Sequence, residues 1–154
     1  MAINWCYNEP WKTAANNTLL NYPASPKKAY YSVGDSLRPV LPSARLNKFA
    51  YTSGEEFHAE LWLLNDTPTA VSDCIHAYLE INGESIHILD WKTPLSEANR
   101  NIKGHMLQFT LPDVEESTFF TLRLVSDTYG ESCYTLYCNP RKKVRHPLAA
   151  ILNM

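Results

Sequence analysis

The chain has 154 residues, 45% of them hydrophobic, 12% aromatic and 19% charged, with 14 Lys and Arg against 16 Asp and Glu for a net charge of −2. This suits one domain with one core and excludes a nucleic-acid module driven by a basic surplus. It also excludes a disordered chain, because aromatic and aliphatic residues run throughout. No apolar run reaches the length of a membrane span, so no membrane partner is expected. The N-terminus lacks a charged region followed by a hydrophobic one, so a cytoplasmic setting is expected.

Residues 1–25 are rich in Asn, Trp and Tyr and show no period of either kind. A helix is predicted over 26–38. Ser25 stands as N-cap and Pro26 at the first helical position, where its missing N–H does no harm. Ala29, Tyr30, Val33 and Leu37 recur at spacings of three and four, giving one apolar stripe. Pro39 ends the helix by pushing its predecessor out of the α region.

From about residue 40 the period becomes two, beginning with a weaker strand over 43–51. Between Glu56 and Asn65, Phe57, Ala59, Leu61 and Leu63 take one face. Ile75, Ala77, Leu79 and Ile81 do the same in the next strand, and Asn82-Gly83 then signals a two-residue type I′ hairpin turn. The return strand is predicted at Ser85 to Trp91, with further strands at Met106–Leu111, Phe119–Val125 and Cys133–Cys138. About seven short strands at this spacing indicate an all-β antiparallel sandwich of immunoglobulin type. The division is then 1–38, a sandwich over 39–139, and a basic tail over 140–154. Arg141, Lys142, Lys143 and Arg145 of that tail read as a solvated charge run, followed by the apolar stretch Leu148–Leu152.

The four cysteines, Cys6, Cys74, Cys133 and Cys138, include no C-x-x-C pair. Cys133 and Cys138 should point to opposite faces of one strand. A Cys74–Cys133 bridge between two sheets is compatible with the spacing but not required by it. His58, His76, His87 and His105 read as polar strand-face residues, since no carboxylate or cysteine completes a compact set in sequence. No metal or cofactor is expected. Trp62, Tyr78 and Trp91 offer either an aromatic platform for sugar rings or cover for a face packed on another domain.

Asn8-Glu9-Pro10 has the letters of a glycosidase acid/base motif. That chemistry needs a second carboxylate about 5 Å away. The barrel that would supply it takes roughly 250 residues. Glu9 is therefore not expected to act as a catalyst in this chain.

Asn4-Trp5-Cys6-Tyr7-Asn8-Glu9-Pro10-Trp11, Asn21-Tyr22-Pro23, Pro26 to Tyr31 and Leu37 to Leu41 together resemble the end of the catalytic barrel of glycoside hydrolase family 2. Glu60 to Pro68 resembles the second strand of the immunoglobulin-like sandwich that follows that barrel, and Leu111-Pro112-Asp113 and Leu122-Arg123-Leu124 suit the same pattern. The resemblance covers residues 3–138 and is nearest to β-mannosidase and β-galactosidase-like members. It implies that residues 1–38 are the last strand and helix of the barrel, with both catalytic glutamates upstream. It puts Glu9 at the acidic position of the eighth barrel strand, with Trp5, Asn8, Glu9 and Trp11 lining a sugar cleft completed by the rest of the barrel. The 140–154 tail does not match the family's ending.

Three functions are thus open. The chain is a non-catalytic sandwich fragment whose partner is the hydrolase barrel, a free-standing carbohydrate- or protein-binding module, or a small hydrolase using Glu9. The first leaves the apolar stripe of the helix exposed unless the helix folds back on the sandwich. The second predicts glycan binding lost on Trp62→Ala or Trp91→Ala.

Overall fold

The computed structural model describes residues 6–12 and 17–141. A short pair, β1 (Leu20–Asn21) and β2 (Ser25–Pro26), precedes the helix α1 (Lys28–Ser36). The sandwich follows, with β3 (Val40–Leu46), β4 (Ala50–Thr52), β5 (Glu56–Asn65), β6 (Cys74–Ile81), β7 (Glu84–Lys92), β8 (Ile102–Thr110), β9 (Thr118–Ser126) and β10 (Gly130–Asn139). One sheet has the order β3-β5-β8 and the other β4-β10-β9-β6-β7, the layout of an all-β sandwich of immunoglobulin type.

The alternation read from the sequence is the alternation of burial. Phe57, Ala59, Leu61 and Leu63 of β5 face inward, as do Ile75, Ala77, Leu79 and Ile81 of β6. Leu107, Leu122, Leu124 and Leu136 complete the layer between the sheets. Asn82 and Gly83 have φ of 52° and 82°, the two positive values that a type I′ turn requires. Pro42 sits in β3, which is an edge strand pairing only with β5, so its missing N–H breaks no ladder.

Three expectations are corrected. The single strand over 43–51 is two strands on different sheets. β4 pairs in parallel with β10, so the sandwich is antiparallel everywhere except at this edge. The break at residues 47–49 lets one stretch of chain edge both sheets. The helix begins at Lys28, with Lys27 as N-cap and no side-chain capping bond. Ser25 and Pro26 are instead taken by β2, paired with Asn21 and Leu20. Cys74 and Cys133 lie on one sheet with β9 between their strands, and all four cysteines are free thiols. Cys138 is buried and Cys133 exposed, on opposite faces.

No residue of α1 is buried. A cavity of about 490 Å³, lined by Ser32, Asp35, Ser36 and Arg38 on one side and Glu131 and Cys133 on the other, separates it from β10. Arg38 spans the gap, donating to the Glu131 carbonyl and to Ser132 Oγ at 3.3 Å. Beyond the last strand, Arg141 is exposed, as a solvated charge would be, while its Nε donates to the Ser53 carbonyl at 2.9 Å. The other basic-cluster residues and Leu148–Leu152 lie outside the described residues.

Candidate functional site

Of the residues read as lining a sugar cleft, Trp5 lies outside the described residues. Asn8 is exposed and bridges Leu20, and Trp11 is 67% exposed. Glu9 is 5% exposed. Its backbone N–H donates to the Leu20 carbonyl at 3.1 Å, which ties its segment to β1. Glu9 Oε1 accepts from Thr18 Oγ1 at 3.0 Å and Lys27 Nζ at 3.3 Å, while Lys27 Nζ also donates to Thr18 at 2.7 Å. A buried carboxylate closed by an ammonium and a hydroxyl holds the N-terminal segment to the start of the helix. Its partners are not the second carboxyl that glycosidic cleavage requires. The structure thus separates Glu9 from Asn8 and Trp11, which point to solvent while it points inward.

Beside this network, the exposed face of α1 meets the N-terminal segment in a groove. Tyr7, Leu19, Tyr30, Tyr31, Val33 and Leu37 line a cavity of about 520 Å³. The Tyr30 ring packs edge-on against Tyr7 at 6.4 Å and against Tyr31 at 5.4 Å. A hydrogen bond with Tyr30 is the main cause that pushes the Tyr7 phenol above its ordinary pKa. Leu37 is 65% exposed. The periodic stripe in the sequence is therefore a real face of the helix, met by Tyr7 at Tyr30 but left without a buried member.

The aromatic platform does not form. Trp62 is on β5 of one sheet and Tyr78 on β6 of the other. Trp91 is 3% exposed and turned into the core. Trp91→Ala would therefore damage the core and does not test glycan binding.

The described histidines fall in two groups. His58 and His105 belong to the three-stranded sheet, so His58 and His76 are not on neighbouring strands. His58 pairs with Glu56 at 3.4 Å, and His105 packs edge-on against Trp91. On the outer face of the five-stranded sheet, however, carboxylates and a thiol do gather around a histidine, which corrects the reading that no compact set exists. His76 Nδ1 lies 2.6 Å from Asp90 Oδ1, and its Nε2 lies 2.9 Å from Asp127 Oδ1. His87 Nε2 lies 2.7 Å from the same Asp90 oxygen. Cys74 stands near His76 and Asp127.

The hydrogen bond to Asp90, then that to Asp127, raises the His76 pKa against the smaller opposing effect of desolvation. The His76 hydrogen bond, then that from His87, holds Asp90 below the usual carboxylate range. Burial, aided by the nearby aspartates, pushes the Cys74 thiol up. Asp90 and Asp127 carry no signal in the sequence, because one reaches His76 from β7 and the other from the turn between β9 and β10.

No family model and no curated protein matches the chain. Among solved structures, a β-glucosidase from Listeria innocua in complex with gluconolactone matches with a TM-score of 0.50 at 13% identity, over 65% of this chain and 16% of the glucosidase chain. The same enzyme in complex with isofagomine matches with a TM-score of 0.49 at 13% identity, over 64% of this chain and 16% of that one. The chain thus corresponds to a small part of the length of these enzymes. At this identity the likeness concerns fold, and what this chain shares with part of a glycosidase is its β-sandwich.

Proposed function

We propose that the chain is a non-catalytic C-terminal sandwich piece of a family 2 glycoside hydrolase, packing on the catalytic barrel and shaping the rim of its sugar cleft. The hydrolysis of O-glycosidic bonds belongs to that parent, and its two catalytic carboxylates lie outside this chain. The observation that carries the proposal is the apolar groove of Tyr7, Leu19, Tyr30, Tyr31, Val33 and Leu37. A helix keeps such a stripe on its surface when another element covers it. The family-like segments of residues 3–138 and the sandwich shared with a glucosidase support the same reading. In it, Trp5, Asn8 and Trp11 face the cleft, and Glu9 tethers the last barrel strand to its helix.

An immunoblot of the source cells with antibody against residues 45–139 tests the proposal. The expected band is several times heavier than a 154-residue chain. In that heavier protein, Tyr31→Asp should lower glycosidase activity by loosening the barrel contact. A band only at the size of the 154-residue chain overturns the proposal in favour of a free-standing binding module. Glycan binding would then be sought at the exposed Trp11 and Tyr31.

A further inference from the structure

His76 and Asp90 oppose each other across the β6–β7 pair. His87 joins them through a break in that pairing. The register runs from Ala77↔Leu89 to Tyr78↔His87, leaving Ile88 as one extra residue on β7. In an unbroken strand, residues three apart point to opposite faces. The bulge cancels one step of alternation and returns His87 to the face of Asp90. Ile88 and Leu89 both pack toward the core as a result. The Tyr78 ring then rests edge-on against His87 at 5.3 Å, which limits how the imidazole turns.

Two imidazole nitrogens consequently converge on one carboxylate oxygen, and the three donor atoms lie within 4.8 Å of one another. We propose that His76 Nδ1, His87 Nε2 and the Asp90 carboxylate form a binding site for a divalent first-row cation, with zinc the best fit. Two nitrogens and one oxygen suit zinc better than magnesium or calcium, which favour oxygen donors. Bonds of about 2.0–2.2 Å to all three need only a small opening of the present contacts. Three protein ligands leave a fourth position for water, as in open zinc sites. Asp127 completes the arrangement from behind. It accepts from the far nitrogen of His76, the carboxylate–histidine–metal pattern that fixes the ring and its tautomer.

Cys74 and Asp127 offer another set around His76. That set has one imidazole instead of two, and it uses up the carboxylate that otherwise orients the ring. The bulge-built side is therefore the one assigned. The site stands apart from the proposed barrel contact, since it lies on the sheet and not on α1.

Calorimetric titration of the full 154-residue chain with zinc chloride at neutral pH tests this. One zinc per chain is expected, with no comparable heat from magnesium. His76→Ala and His87→Ala should each weaken zinc at least tenfold, and Asp127→Asn about tenfold. His87 is exposed, so circular dichroism of its variant should match the parent and separate lost binding from lost folding. Cobalt(II) should give d–d bands without a thiolate charge-transfer band. Zinc affinity unchanged in His87→Ala, or a thiolate band removed by Cys74→Ser, overturns the assignment.

Discussion

The Asn65 side chain is buried in a loop junction that no apolar contact could organise. Its amide donates to the Thr69 and Glu97 carbonyls, each at 2.9 Å, and its Oδ1 accepts from the Thr67 N–H at 3.0 Å and the Thr67 hydroxyl at 2.6 Å. One residue thus ties the end of β5 to the stretch that enters β8. This gives a physical reason for Asn in the family-like segment Glu60–Pro68, which the letters alone do not supply. Asn65→Ala should destabilise by about 2–3 kcal/mol, because several buried backbone groups lose their partner. Urea unfolding would show a lower midpoint at unchanged slope. Glu55 gives a pH-dependent counterpart. Lys48 and the Thr52 N–H hold its carboxyl below the ordinary range, mainly through the Lys48 hydrogen bond. A lowered folded pKa gives stability that is present above the unfolded value and lost as pH falls through the folded one. The difference in urea midpoint between the parent and Glu55→Gln should therefore shrink on acidification below about pH 4.

Whether an element was legible depended on whether its determinants were local. The β6–β7 turn was, since Asn-Gly accommodates the two positive φ values within two adjacent residues. The helix start was not. Ser25 and Pro26 are good cap letters, yet pairing with Leu20 and Asn21 claims them first. The bulge at Ile88 is equally hidden, because plain alternation puts His87 and Asp90 on opposite faces. Between the sheets, Gly104 of β8 meets Trp91 of β7, and a Cβ at Gly104 would lie 2.5 Å from the indole. Gly104→Ala should cost about 1–3 kcal/mol by forcing that buried ring to shift. A thermal melt should show the loss. Gly83→Ala differs in kind, because nothing crowds its Cβ and only the φ of 82° opposes the change. Its cost should be about 1–2 kcal/mol, read in the same melt.

At the scale of the molecule, every member of the main core cluster lies between Val40 and Cys138. The segment before it contributes an ion pair, a short strand pair and an exposed helix face, but no member of that cluster. A fragment of residues 39–141 should therefore unfold cooperatively, within about 0.5 kcal/mol of the full chain by urea titration, as for changes outside a core. Ending it at 141 keeps the Arg141 contacts with the carbonyls of Ser53 and Gly54. A fragment that fails to fold would mean that α1 stabilises the sandwich through the Arg38 contact more than its exposure suggests. By itself the sequence determined the all-β class, the inward face of most strands and the hairpin, because period-two burial and turn chemistry are written within a few neighbouring residues. Only the tertiary structure decided which strands share a sheet, that one strand splits between two, and that Glu9 is closed by Lys27. It alone also brought His76, His87, Asp90 and Asp127 together. Those outcomes depend on pairing between residues as far apart as Ala50 and Tyr137, where one bulge reverses which side chains meet.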